Sequence, residues 1–131
     1  MNIFIVNQNP TSNYNDEVGK RYDYPTSIPN GKMINAGDIL IFNLSKKYSN
    51  KLNNKEKRLT GIAIVDTITL YKENRKQKAI ASYSWYYGFK IPISFDEIGG
   101  DLRLNKTNSI NKIKDDLKLT VLLNIIKIIT I

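Results

Sequence analysis

"LTGIAIVDTITLYKENRKQKAIASYSWYYGF", residues 59–89, decides the fold class. Its β-branched Ile62, Ile64, Thr67 and Thr69 suit a pleated surface. Gly61, inside that run, predicts a bulge or a close approach by another group. "NRKQ" (74–77) is a polar turn, and "KAIASYSWYY" (78–87) returns as a strand, so the stretch reads as one long β-hairpin. The return strand ends in "YSWYYGF" (83–89), with five aromatics in seven residues. Side chains of a strand alternate between faces, which places Tyr83, Trp85 and Tyr87 on one face and Tyr86 on the other.

Working towards the N-terminus, "NAGDILIFNL" (35–44) gives a Gly37-Asp38 turn and a buried strand over 39–44. "NIFIVN" (2–7) is a short apolar run and a first buried strand. Between them, "QNPTSNYNDEVGKRYDYPTSIPNG" (8–31) is punctuated by Pro10, Gly19, Pro25, Pro29 and the Asn30-Gly31 pair. Thr11 or Ser12 there suits the cap of one helical turn through Asp16 and Glu17. "SKKYSNKLNNKEKR" (45–58) is a polar, basic loop.

Downstream, "GFKIPISF" (88–95) is a further short strand, placed at an edge by Pro92. "DEIGGDLRLN" (96–105) is loop. The segment 107–131 starts like a helix, with Thr107 or Ser109 as cap; from Leu117 onward helix and strand both remain open. The sum is an α+β, mainly β domain over 1–131: a small bent, partly closed β-barrel of five to six strands with one to three short helices. Segment 107–131 is its helix or an interface segment.

The length of 131 residues fits one domain, and 41% hydrophobic residues are enough for a core. The chain has no Cys and no His, which removes disulfides, thiolate metal sites and the commonest general base. The net charge of +8 favours polyanionic partners, nucleic acid foremost, although lysine scattered over a surface gives the same balance. "MNIFIVN" lacks the features of a signal peptide. The apolar run 117–131 is interrupted by Lys118, Asn124 and Lys127 and falls short of the roughly 20 residues of a membrane span. A cytoplasmic protein without a membrane partner is expected.

Chemistry-bearing patterns are few. The acidic pairs Asp16/Glu17, Asp96/Glu97 and Asp115/Asp116 are sequence neighbours whose side chains diverge in extended chain, and no nucleophile or metal motif accompanies them. No metal, cofactor or catalysis by this chain is expected. Basic residues interleaved with aromatics are the stronger signal. Lys20 and Arg21 adjoin Tyr22 and Tyr24 in a loop pre-ordered by prolines, a pattern suited to a phosphate backbone plus an unstacked base, or to a loop covering one end of a barrel. Lys46, Lys47, Lys51, Lys55, Lys57 and Arg58 face one acid, Glu56, and suit phosphate tracking or a solvated loop.

The ordered pieces "VGKRYDYP", "INAGDILIFNLS", "LTGIAIVDTI" and "AIASYSWYYGFKIPI" resemble the EVE-like branch of the PUA superfamily, which includes the YTH readers. They are closer still to the EVE-like modules that head modification-dependent restriction nucleases. Gly19, Lys20 and Arg21 look like the family's binding loop, and Gly37-Asp38 with the strand after it look like its turn and strand. The resemblance covers roughly residues 3–95. It implies a module that flips a methylated or hydroxymethylated base of DNA into an aromatic cage. The implied cage is Tyr22 or Tyr24 with Trp85 and one of Tyr86 or Tyr87; Lys20, Arg21, Lys46, Lys47 and Arg58 hold phosphate or the base edge. Gly19, Ser27, Asn30, Gly37 and Asp38 shape its turns. The implied partners are modified DNA and a nuclease or NTPase domain or subunit of an anti-phage restriction system. Two rivals stand beside it: an RNA reader of the YTH or PUA type, and an oligomerising interaction protein whose interface buries Trp85.

Overall fold

The computed structural model describes residues 1–8, 19–44 and 58–129. Strands β1 (Ile3–Gln8), β2 (Arg21–Pro25), β3 (Ile39–Leu44), β4 (Leu59–Glu73), β5 (Lys76–Ile93) and β6 (Ile110–Lys112) form one sheet in the order β2-β5-β4-β3-β1-β6. Among the described residues a helix, α1 (Asp116–Ile129), and a 3-10 turn over Asp96–Ile98 accompany it. The β4–β5 hairpin turns at Asn74 and Arg75, both with positive φ (51° and 65°), the conformation of a two-residue hairpin turn. β1 and β3 pair in parallel, and the other pairings among the described residues are antiparallel. That parallel pair is the most apolar part of the sheet and is covered on both faces, as parallel strands require.

The sheet curls into a half-barrel. Its concave face gathers Phe4, Val6, Leu40, Phe42, Ala63 and Val65 from the centre, Tyr22 and Tyr24 from edge strand β2, and Ile110 from the other edge strand, β6. Residues from both edges share one core only because the sheet bends. The loop after β2 bridges the gap: Asn30 Nδ2 donates to the Ile110 carbonyl at 2.9 Å. Asn30 has φ 66°, so the Asn-Gly pair supplies the left-handed residue that aims this side chain. Gly31 sits under three carbonyls, and a Cβ there would meet those of Pro25, Thr26 and Ile28 at 2.7–3.0 Å. The Asp38 carboxylate closes the Gly37-Asp38 turn, accepting from the Asn35 and Asn2 backbone N–H groups at 2.8 and 2.9 Å.

The convex face packs under α1. Leu119, Leu122 and Ile126, at helical spacing, meet Ile5, Ile41, Ile62 and Phe89. Ile98 and Leu102 fill the adjoining space. Beside them Phe95 carries the guanidinium groups of Arg58 (5.7 Å) and Arg103 (5.4 Å), while Asp101 binds Arg103 through both carboxylate oxygens at 3.0 and 2.8 Å.

Two expectations are corrected. Residues 88–93 continue β5 instead of forming a separate strand, although they do lie at an edge: β2 pairs with β5 no further than Ser82. The helix does not start near Thr107 or Ser109. Ile110–Lys112 pairs with the free edge of β1 instead, and α1 starts after Asp115, whose Oδ1 accepts the Lys118 N–H at 3.1 Å as an N-cap. The helical turn expected at residues 11–17 lies outside the described residues. Among the described residues no helix is long and apolar enough to cross a membrane.

Candidate functional site

The face assignment of the aromatic run is also corrected. β5 pairs Trp85 with Ile64 but Tyr83 with Val65, so Ser84 is an extra residue and the alternation shifts. Gly61 marks a second irregularity, between Leu59 and Gly61, as its position in the strand predicts. Tyr83 and Tyr86 therefore share the concave face, while Trp85, Tyr87 and Phe89 share the convex one.

The consequence for the expected cage is direct. Trp85 and Tyr87 stack on the convex side, ring centroids 6.4 Å apart and planes 10° off parallel. Trp85 is 45% exposed, and the Tyr87 hydroxyl donates to the Ile129 carbonyl of α1 at 3.3 Å. Tyr22 and Tyr24 stack on the opposite face, 5.1 Å apart, and both are buried. Their cross-strand partners are Ala81 and Ala79, whose small side chains leave room for the rings. Burial pushes the Tyr24 phenol up to about 12. These four rings belong to two layers separated by the sheet, so they do not form one cage.

What the fold does bring together is Tyr86, Tyr83, Gly19 and Lys20. The Tyr86 ring lies among three glycines: a Cβ on Gly61 would sit 3.0 Å from its hydroxyl oxygen, on Gly88 3.2 Å from the same atom, and on Gly19 3.4 Å from the ring edge. Gly19 has φ 84°, a conformation that favours glycine, and it carries the backbone over the ring. The Tyr83 N–H donates to the Lys20 carbonyl at 3.1 Å, which fixes this rim to β5. Tyr83 and Tyr86 lie near-parallel, 6.2 Å apart and 15° between planes, with Phe42 behind both. Tyr86 is half-buried, and that burial raises its phenol pKa. The Lys20 side chain is exposed at the same rim.

The remaining expected residues fall elsewhere. Arg21 alternates with Tyr22 and faces the convex side, where its charge acts on Tyr71 and opposes the rise in that phenol's pKa. Arg58 is committed to the fold: its Nε donates to the Leu44 carbonyl at 2.7 Å, and burial, followed by the charge of Arg103, lowers its pKa. Lys46 and Lys47 lie outside the described residues. Asn30, Gly37 and Asp38 shape turns, and Ser27 lines a cleft described below. Tyr83 is the site residue that the strict two-residue period assigned to the wrong face; only the strand register reveals it.

Among the described residues no group of three or more acidic side chains is arranged to hold a metal ion. Comparison with protein-family models, with curated proteins and with solved structures finds no match to this chain.

Proposed function

We propose that the chain is a nucleic-acid-binding module, EVE-like within the PUA superfamily, that takes an extruded modified base of DNA against Tyr86. In this reading it is the specificity element of a modification-dependent restriction system, and cleavage belongs to another domain or subunit. The supporting observation is the convergence of the Gly19-Lys20 loop with the glycine-cradled ring of Tyr86. A fixed, half-exposed aromatic beside an exposed lysine has the two elements that a nucleotide needs: a stacking surface and a phosphate partner. Trp85 and Tyr87 have no part in this site.

The test is a titration with matched duplexes carrying N6-methyladenine, 5-methylcytosine, 5-hydroxymethylcytosine or no modification, at fixed salt. One modified duplex is expected to bind tightest. Tyr86→Leu removes the preference, and Lys20→Ala lowers affinity and its salt dependence. Equal affinity for all four duplexes refutes the reading. Tight binding of the same modification in RNA alone moves it to the RNA-reader alternative.

A second reading, an oligomerising interaction protein, is favoured by the outer face of α1. Leu117 (83% exposed), Val121 and Ile128 (71% exposed) form an apolar stripe at helical spacing. It predicts a stable multimer in sedimentation that Leu117→Lys and Ile128→Lys dissociate.

A further inference from the structure

A second concave site lies at the far end of the half-barrel, between the loop after β2 and the tip of the β4–β5 hairpin. Two adjoining clefts, of about 700 and about 460 Å³, share Thr26, Lys32 and Gln77. Both volumes fall within the roughly 300–1,000 Å³ of small-molecule sites. The larger is lined by Lys32, Lys76 and Lys78 together with one acid, Glu73. The smaller has an apolar floor of Tyr24, Ile34, Ile68, Leu70 and Ala79. Leu70 is 59% exposed, a large apolar side chain with little cover.

The walls are held in place. Thr26 is tied to Gln77: its N–H donates to the Gln77 carbonyl at 3.2 Å, and its hydroxyl has that carbonyl (3.2 Å) and Oε1 (3.0 Å) as alternative acceptors. The Asn30–Ile110 bond and the crowded Gly31 fix the rest of the loop. Lys78 is paired with Glu73 at 3.3 Å, but Lys32 and Lys76 have no ion-pair partner among the described residues. Lys32, shared by both clefts, and Lys76, in the larger one, thus stand beside the apolar floor of the smaller. That arrangement calls for a ligand anionic at one end and flat and apolar at the other.

We infer that this double cleft binds a nucleotide. The base lies on Leu70, Ile68 and the edge of Tyr24, and the phosphate sits between Lys32 and Lys76. The site is distinct from the Tyr86 rim and does not depend on it. The same chemistry is offered by a free mononucleotide and by one residue of a single strand.

The experiment titrates the protein with AMP, with an unmodified thymidine hexanucleotide and with inorganic phosphate, following backbone amide shifts by NMR. AMP or the hexanucleotide is expected to shift residues 26–32 and 70–78. Lys32→Ala and Lys76→Ala should each weaken binding about tenfold, the loss of one charge-assisted contact. Leu70→Asp should weaken it further, whereas Tyr86→Leu should leave it unchanged. AMP binding identifies a free nucleotide, and hexanucleotide binding alone identifies a strand. The proposal is overturned by three results: neither probe shifts these residues, phosphate binds as tightly as AMP, or the lysine variants bind as the parent does. Because Tyr86→Leu is silent here and disabling in the duplex titration, either site can fail without the other.

Discussion

Tyr86 and Gly61 fit each other so closely that a single methyl on the glycine would stand 3.0 Å from the tyrosine's hydroxyl oxygen. The same methyl would stand 3.0 Å from the Tyr87 carbonyl, a backbone atom that cannot step aside. Gly61→Ala should therefore cost about 1–3 kcal/mol, the usual penalty of overpacking, and displace the Tyr86 ring. Chemical denaturation measures the first effect. In the duplex titration the same variant should lose preference for modified DNA, as Tyr86→Leu does, by about tenfold or more if one base stacks there.

Trp85→Ala should leave the fold intact. The indole is 45% exposed, and its main partner is the Tyr87 ring. Loss of one stacked aromatic pair costs about 0.5–1.5 kcal/mol beyond the area lost. A cooperative melt a few degrees below the parent's is expected, with discrimination among duplexes unchanged. Loss of discrimination in a folded Trp85→Ala variant would return the base site to the convex face.

Asn30 joins two functions that substitutions can separate. Asn30→Gly keeps the left-handed backbone and loses the bond to Ile110; Asn30→Ala loses both. The first should cost about 1 kcal/mol for the hydrogen bond, and the second about 1 kcal/mol more for the strained φ. Equal stability of the two variants would show that conformation has no part in the closure.

Alkaline pH should destabilise the protein. The Tyr71 hydroxyl reaches both carboxylate oxygens of buried Asp23 at 2.7 Å. Its pKa is raised by desolvation, then by the hydrogen bond and charge of Asp23. Tyr24, pushed up to about 12 by burial, acts in the same direction. A raised folded pKa means that the folded state holds its proton longer. This stabilisation is complete below the unfolded value near 10 and is lost as pH rises from there through the folded values. Tyr71→Phe should shrink the alkaline loss and, at pH 7, cost about 1 kcal/mol by withdrawing a donor from Asp23. Denaturant midpoints measured from pH 7 to 11 check both effects.

Acid acts through Asp101. Burial pushes its carboxyl up, but the hydrogen bonds and charge of Arg103 outweigh that, and the net pKa is lowered from 3.8. The contribution is present above the unfolded value near 3.9 and disappears as pH falls through the folded one. Arg103→Met should therefore destabilise at pH 7 and flatten the acid limb below pH 4, read as melting temperature against pH.

Much of the architecture is legible in the chain because it rests on local rules. β-Branched runs around the Asn74–Arg75 turn specify the long hairpin. Gly37-Asp38 before an apolar run specifies the entry to β3. Gly61 announces both its bulge and the close approach of Tyr86. The absence of His and Cys excludes whole chemistries at once. Tertiary structure decided the rest. Ser84 becomes an extra residue only through its register with β4, and that one slip sends Tyr83 to Tyr86 and Trp85 to Tyr87. Ile110–Lys112 becomes strand because β1 has a free edge to offer, which outweighs a helical cap signal of about 1 kcal/mol. Tyr22 and Tyr24 sink into the core because Ala81 and Ala79 stand opposite them and the sheet curls over both. Residue spacing sets the period of an element, but which face is buried depends on partners dozens of residues away. The candidate site, made by one loop and one face of β5, exists only once those partners meet.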